Sequence, residues 1–128
     1  MQKIISYPLS VIALLLFLIA LVIFHVIQWI CFNFFGYQAH KKSVDFLNFV
    51  LLKIGLILGT TFEIKNRELI PENVPIIFVA NHQGLYDIVA IQWFLRKFHP
   101  KFVSKKELGK GIPSVSYNLK HGGSVIID

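Results

Sequence analysis

Apolar positions crowd the first part of the chain. From Ile4 to Ala39 there is no Asp, Glu, Lys or Arg, and only Ser10, His25, Gln28 and Asn33 interrupt the run from Leu9 to Phe35. Crossing a hydrocarbon core takes about 20 such residues. The run exceeds the about 7–15 residues of a signal-peptide core, and no small-x-small cleavage site follows it. It therefore predicts a retained anchor. Gly36-Tyr37-Gln38-Ala39-His40 predicts a turn. A second apolar helix is expected from Ser43 to Gly59, with Ser43 as N-cap, Asp45 in the first turn and Gly59 as the stop. Phe46, Leu47, Val50, Leu51, Ile54 and Leu58 recur at helical spacing, and Phe49, Leu52, Leu56 and Ile57 widen that face. Either the first helix spans the bilayer or the pair dips into one leaflet as a hairpin. Lys3 before the first helix, with Lys41 and Lys42 after it, gives nearly equal positive flanks, which favours the hairpin.

The periodicity changes at Thr60. Thr61 to Lys65 alternates like a strand, and a polar connection runs from Asn66 to Asn73. Pro75 to Ala80 reads as a strand buried on both faces. Ile88 to Phe98 reads as a helix with Ile88, Ile91, Leu95 and Phe98 on one stripe. A short strand at Lys101 to Ser104, a short helix from Pro113 to His121 stopped by Gly122-Gly123, and a last strand at Ser124 to Ile127 complete the pattern. Strands alternating with helices predict an α/β fold. The expected architecture is a hydrophobic N-terminal helical anchor, residues 1–59, followed by a partial, mostly parallel sheet with flanking helices, residues 60–128.

Composition narrows the partners. Hydrophobic residues make up 55% of 128, and 13 Lys+Arg against 7 Asp+Glu give a net charge of +6. A basic balance fits nucleic acid, anionic lipid or a phosphorylated substrate. The apolar N-terminus selects lipid. The cations are scattered without the aromatic platform of a nucleic-acid binder, so no nucleic-acid partner is expected. The single cysteine, Cys31, excludes an intramolecular disulfide and reads as a small hydrophobe. His25 reads as a neutral histidine facing Gln28 and the second helix. His40, His99 and His121 lack ligand spacing, so no metal is assigned. Gly109-Lys110-Gly111 lacks the context of a phosphate loop and reads as a turn.

Candidate chemistry sits at His82-Gln83-Gly84-Leu85-Tyr86-Asp87, an H-x4-D arrangement just after Asn81 and the expected strand. In a parallel sheet, reacting groups gather beyond the carboxyl ends of strands. A carboxylate bonded to one imidazole nitrogen fixes the tautomer and leaves the other nitrogen free to take a proton. Residues five apart on a regular helix point about 140° apart. His82 and Asp87 therefore meet only if the turn between them is irregular and the helix begins near Asp87. Gly84 supplies the freedom for such a turn.

These residues resemble a known family. Ile77 to Asp87 resembles the first block of the glycerolipid acyltransferases, the 1-acylglycerol-3-phosphate acyltransferases: an apolar strand, then Asn-His and an aspartate. Phe102-Val103-Ser104-Lys105-Lys106-Glu107-Leu108 resembles the next segment, and Pro113, Gly122-Gly123 and Val125-Ile126-Ile127-Asp128 resemble the second block. Three segments in order behind a hydrophobic N-terminus make the resemblance specific over about Thr60 to Asp128. The family's third and fourth blocks are absent, as is the arginine that usually follows Ile-Asp, so the chain is expected to be the N-terminal half of such an enzyme.

The resemblance implies transfer of an acyl chain from a thioester, acyl-CoA or acyl carrier protein, to 1-acylglycerol-3-phosphate, giving phosphatidate. It implies no cofactor beyond that thioester co-substrate, and a place on the cytoplasmic face of the inner or cell membrane. His82 is the implied base, Asp87 its orienting partner, and backbone amides after Gly84 the oxyanion donors. Asn81, Gly84, Lys105 and Lys106 are the implied substrate-binding residues, although Lys105 and Lys106 read equally well as a solvated pair beside Glu107. Membrane lipid, lysophosphatidate, the acyl thioester and acyl carrier protein are the expected partners. The rival expectation is an inactive membrane-associated remnant or partner-binding subunit, and a third is a small integral membrane protein without enzyme ancestry.

Overall fold

The computed structural model describes residues 2–81 and 83–128, and the side chains of all of these except Gln2, Lys3, Ile4 and Leu85. The first apolar run folds as one helix, α1, Gln2–Ile30. A π-turn, Cys31–Phe35, continues it to Gly36. The run Ile5–Phe35 is long and apolar enough to cross a membrane. Gly36 holds φ at +85°, a left-handed conformation that a side chain would strain. The chain reverses there into α2, Tyr37–Ile57.

α2 starts six residues earlier than its sequence signals suggest. Ser43 is not a cap. It is buried mid-helix and donates to the His40 carbonyl at 2.6 Å. Asp45 pairs with Lys41 one turn earlier at 2.9 Å instead of serving a first turn. The stop is as expected: Gly59 takes φ +75° after Ile57, and its amide donates to Leu56.

The two helices pack antiparallel. α1 turns Ala13, Ala20, Leu21, Phe24 and Gln28 inward, at spacings of three, four and seven. α2 answers with Val44, Leu47, Leu51 and Leu52. The remaining circumference of α1 stays apolar and exposed, including Ile12, Leu16, Ile19, Ile23 and Val26. Phe46 and Leu58, expected on the inner stripe of α2, face outward, because the buried stripe runs through Val44, Leu47, Leu51 and Gly55.

The rest of the chain folds against this hairpin. α3, Leu85–Phe94, lies on α2, and Val89 joins the cluster of Ala20, Leu21, Phe24, Leu47, Leu51 and Leu52. A 3-10 turn, Arg96–Phe98, leads into β1, Val103–Lys105. α4, Val115–His121, lies on α1, and β2, Val125–Ile127, pairs in parallel with β1 in the register Val103↔Val125, Ser104↔Ile126 and Lys105↔Ile127. The α/β reading therefore holds in its order: apolar helices first, then a small parallel sheet with flanking helices.

Two expected strands do not form. Thr61 to Lys65 and Pro75 to Ala80 run without regular structure. Ile77 and Val79 are 90% and 93% exposed, the reverse of a strand buried on both faces. Alternation and apolar runs report which positions favour burial. A strand also needs a neighbour for its backbone groups, and among the described residues β1 and β2 pair only with each other.

One contact fixes α3 to the hairpin. The Tyr86 hydroxyl donates to the Leu51 carbonyl and lies against Gly55. Burial raises the Tyr86 phenol above its ordinary value. A Cβ on Gly55 would stand 2.7 Å from that hydroxyl and 2.9 Å from the ring. Gly55→Ala is expected to destabilise the protein by about 1–3 kcal/mol through overpacking. Tyr86→Leu in the same chain should recover much of that loss, a coupling that a double-mutant cycle of thermal melts in detergent measures.

Candidate active site

α3 begins where the H-x4-D arrangement requires a break in regularity. Gly84 is extended, φ −140° and ψ 158°, and forms the N-cap. The helix starts at Leu85, three residues before the expected Ile88 and two before Asp87. Asp87 thus occupies the third helical position, where its carboxylate reaches back. Its Oδ2 accepts from the Gln83 and Gly84 amides, both at 3.1 Å. In return the Asp87 amide donates to the Gly84 carbonyl at 3.2 Å. A carboxylate in the first turn is further favoured by the positive end of the helix dipole.

The result is a closed turn over residues 83–87 with Asp87 locked inside it. Among the described residues Oδ1 accepts no hydrogen bond. The amides of Leu85 and Tyr86 belong to the first turn, where helical geometry supplies no partner. His82, the expected base, lies outside the described residues. Asn81 and Gly84 are exposed at the mouth of this turn.

Chain direction places Lys105 and Lys106 at the same end of the fold. α3 descends from Asp87, and the chain climbs back along β1 to Lys105 and Lys106. Ile88 and Ser104, near the top of each element, line one cavity together with Gln92 and Phe102 one turn below. Lys106 pairs with Asp128 at 2.9 Å, an exposed contact that the parallel register brings about. Among the described residues no hydrogen bond or ion pair joins either lysine to Asp87.

That cavity is a feature the sequence did not announce. It measures about 170 Å³ and lies between the hairpin and the α3–β1–α4 layer. Phe17, Leu21, Leu47, Leu51, Val89 and Leu119 are part of its apolar wall. Each belongs to an ordinary apolar stripe, so only their convergence marks the space.

His25, His40 and His121, far apart along the chain, gather around Phe32 and Tyr117. His25 turns toward α4 instead of α2: its Nδ1 accepts from the Ser114 amide at 3.2 Å, and its ring meets Tyr117 edge-on. Ser114 is fully buried and donates through Oγ to the Leu21 carbonyl at 2.7 Å, so α4 is tied to the middle of α1. His40 and His121 pack around the same Tyr117 and around Phe32, and His99 stacks on Tyr37 at 5.6 Å. Burial pushes the His40 imidazole below its ordinary value, and the Lys101 charge adds to this. Among the described residues, no hydrogen bond of ordinary length reaches the buried side chains of His40 and Gln28. Cys31 is half-buried and free, in keeping with a small hydrophobe.

Residues 61–128 match the acyltransferase family model, more than half of the chain. No curated protein and no solved structure gives a significant match. The matched region takes in the closed turn at Asp87, Lys105 and Lys106, the β1–β2 pair and the outer wall of the apolar cavity. The chain belongs to the acyltransferase family.

Proposed function

We propose that the protein transfers an acyl chain from a thioester, acyl-CoA or acyl carrier protein, to the free hydroxyl of 1-acylglycerol-3-phosphate, giving phosphatidate at a membrane surface. The observation that carries this reading is the Asp87 carboxylate, closed back on the Gln83 and Gly84 amides in the turn that follows His82 in the sequence. A carboxylate fixed this way can hold an imidazole with its remaining oxygen while its own position stays set.

His82 takes the proton of the acceptor hydroxyl as that oxygen adds to the thioester carbonyl. Asp87 keeps the imidazole in the right tautomer and stabilises the imidazolium that forms. The carbonyl oxygen becomes an oxyanion, which the first-turn amides of Leu85 and Tyr86 stabilise. The carbon–sulfur bond then breaks, and the leaving thiolate recovers the proton from His82. Asn81 and Gly84 border the acceptor, and Lys105 and Lys106 offer charge to its phosphate. The 170 Å³ cavity suits part of an acyl chain. An apolar cavity of about 150 Å³ holds a benzene ring, so this one takes roughly six carbons.

The contacts of α1 support a hairpin resting in one leaflet. From Leu21 onward its inner flank carries α4 as well as α2, through polar contacts at Ser114 and His25. A bilayer-spanning α1 would submerge Tyr117, His121 and their polar neighbours. A hairpin resting in one leaflet keeps them in water while the exposed stripe of α1 meets the acyl chains. The proposed face is the cytoplasmic one, where the thioester is found.

The test is acyl transfer by the purified chain in mixed micelles, from labelled palmitoyl-CoA to lysophosphatidate or to lysophosphatidylcholine. Transfer to lysophosphatidate at least about tenfold faster is expected, since only it presents a phosphomonoester to Lys105 and Lys106. Equal rates for the two acceptors would remove the phosphate from the specificity. Transfer to neither, with folded protein, would refute the assignment.

A further inference from the structure

At the end of the fold away from Asp87, a second polar site is built where the hairpin turn meets the bottom of the sheet. The start of α2 brings Tyr37, His40 and Lys41. The end of the α3 segment brings Arg96 and His99, and the approach to β1 brings Lys101. They surround an open pocket of about 30 Å³. Asp45 is the one carboxylate among the lining residues, and it is paired with Lys41 at 2.9 Å. Among the described residues neither Arg96 nor Lys101 is ion-paired.

Both free cations are held in place by neutral groups. The Arg96 guanidinium lies 3.9 Å over the Trp93 ring, and one of its nitrogens donates to the Trp93 carbonyl at 2.9 Å. Lys101 Nζ donates to the Gly122 carbonyl and the Tyr37 hydroxyl, and sits 5.1 Å over the Tyr37 ring. These contacts orient charge without cancelling it. With Lys41 and Asp45 offsetting one another, the lining carries an excess of two positive charges with both histidines neutral. His99 registers this field: burial first, then Lys101 and Lys41, lower its affinity for a proton.

The location adds a second argument. Tyr37 follows Gly36 directly, at the tip of the hairpin. Trp29, Phe34 and Phe35 stand exposed there, Phe34 and Phe35 by 71% and 73%. Exposed aromatic residues at a helix tip beside a basic pocket suit the boundary between acyl chains and anionic headgroups. The site shares no residue with the Asp87 turn, and with the apolar cavity it shares only Val44, Gln92 and Asn118, which form the partition between cavity and pocket.

We infer that this pocket binds a phosphate group, separately from the acyl-transfer site, with Arg96 and Lys101 as its principal charges and Tyr37 and His99 as its sides. The phosphate belongs either to an anionic phospholipid in the leaflet under the hairpin or to a soluble phosphate compound. The lipid arm rests on the membrane geometry proposed above, and the soluble arm does not.

Two measurements on the full chain separate these sources. The first is co-flotation with phosphatidylcholine vesicles, with and without one fifth phosphatidic acid. The second is titration of the chain in neutral detergent with inorganic phosphate, followed through the His99 ring signals by NMR. The variants are Lys101→Gln and the double Arg96→Gln/Lys101→Gln, with Lys65→Gln/Lys110→Gln as a charge-matched control at residues that do not line the pocket. Retained thermal melting is required of each, and Lys101→Arg should keep binding.

A lipid source predicts that the double variant loses about thirty-fold in its preference for the anionic vesicles, roughly fivefold for each cation. The control should lose far less, and binding to neutral vesicles should not change. A soluble source predicts saturable inorganic-phosphate shifts at His99 that the double variant abolishes, with vesicle preference unchanged. An equal loss in control and double variant would show diffuse attraction and overturn the site. So would an absence of any phosphate response in either measurement.

Discussion

Replacing His82 by alanine is expected to lower kcat/KM for acyl transfer by about three orders of magnitude, the usual worth of a positioned general base. Asp87→Asn should lose a similar factor, because an amide in place of the carboxylate neither fixes the tautomer nor stabilises the imidazolium. The two variants differ in what else they disturb. The Asp87 carboxylate also receives the Gln83 and Gly84 amides. Asparagine keeps an oxygen for that role, whereas Asp87→Ala removes it at a cost of about 1 kcal/mol in helix capping. Asp87→Asn should therefore be inactive and nearly as stable as the parent, and Asp87→Ala inactive and measurably less stable. The wild type should lose activity on the acid side, where the base is already protonated, and that limb should vanish in His82→Ala. Undiminished transfer by His82→Ala would sink the proposed mechanism. Inactivity that tracks lost stability alone, with Asp87→Asn fully active, would recast Asp87 as a cap and nothing more.

The turn at Asp87 also shows how far sequence carries. Two side chains five apart cannot share a helix face, so His82 and Asp87 could meet only across an irregular Gln83-Gly84-Leu85 turn; Gly84 is extended there, whereas Leu85 is already helical. The start signals in the sequence placed the helix at Ile88, since apolar periodicity resumes there. The capping interaction of Asp87 with backbone three and four residues before it decided otherwise, and it recruits Leu85 and Tyr86 into the helix. A similar contest displaced the start of α2. Ser43 has the chemistry of a cap, yet Tyr37 to Lys42 are acceptable helix residues and Gly36 already supplies the reversal. Local signals name residues able to end a helix, and the neighbouring chain decides which of them is used.

Long-range features were the least legible. The parallel pairing of Val103–Lys105 with Val125–Ile127 follows from two short apolar segments joined by a helix, and both were visible. The failure of Pro75 to Ala80 to form a strand was not, because its pattern is that of a buried strand and only the absence of a neighbour among the described residues denies it that state. The basic pocket was hidden for another reason. Tyr37, Lys41, Arg96, His99 and Lys101 come from three separate elements, each with a plausible solvated role. Only the hairpin reversal at Gly36 sets the first two against the rest.

The second large effect concerns the outer face of α1. Ile12, Ile19 and Ile23 are 49%, 52% and 52% exposed and lie on one side of the helix, turned away from Ala13, Ala20, Leu21 and Phe24. In water such a stripe invites aggregation, and against a leaflet it is the attachment. Ile19→Asp/Ile23→Asp is expected to reduce partition into neutral vesicles by about 10³-fold or more, since each aspartate deep in the apolar region costs about 3 kcal/mol. These positions touch neither the core nor the α/β unit, so the melting temperature in detergent should hardly move, and micellar transfer of a soluble short-chain acyl donor should persist. The comparison variant, Leu21→Asp, places the same charge on the inner face and should unfold the protein. A hairpin lying in one leaflet and a spanning helix then part company at Tyr7 and Phe34, near opposite ends of the apolar run. Labels there should both be quenched from the same side of the bilayer if the hairpin rests in one leaflet, and from opposite sides if α1 crosses. Because α4 is bound to the middle of α1 through Ser114 and His25, quenching from opposite sides would also require the α/β unit to detach, which a loss of the Ser114–Leu21 contact would reveal in amide exchange.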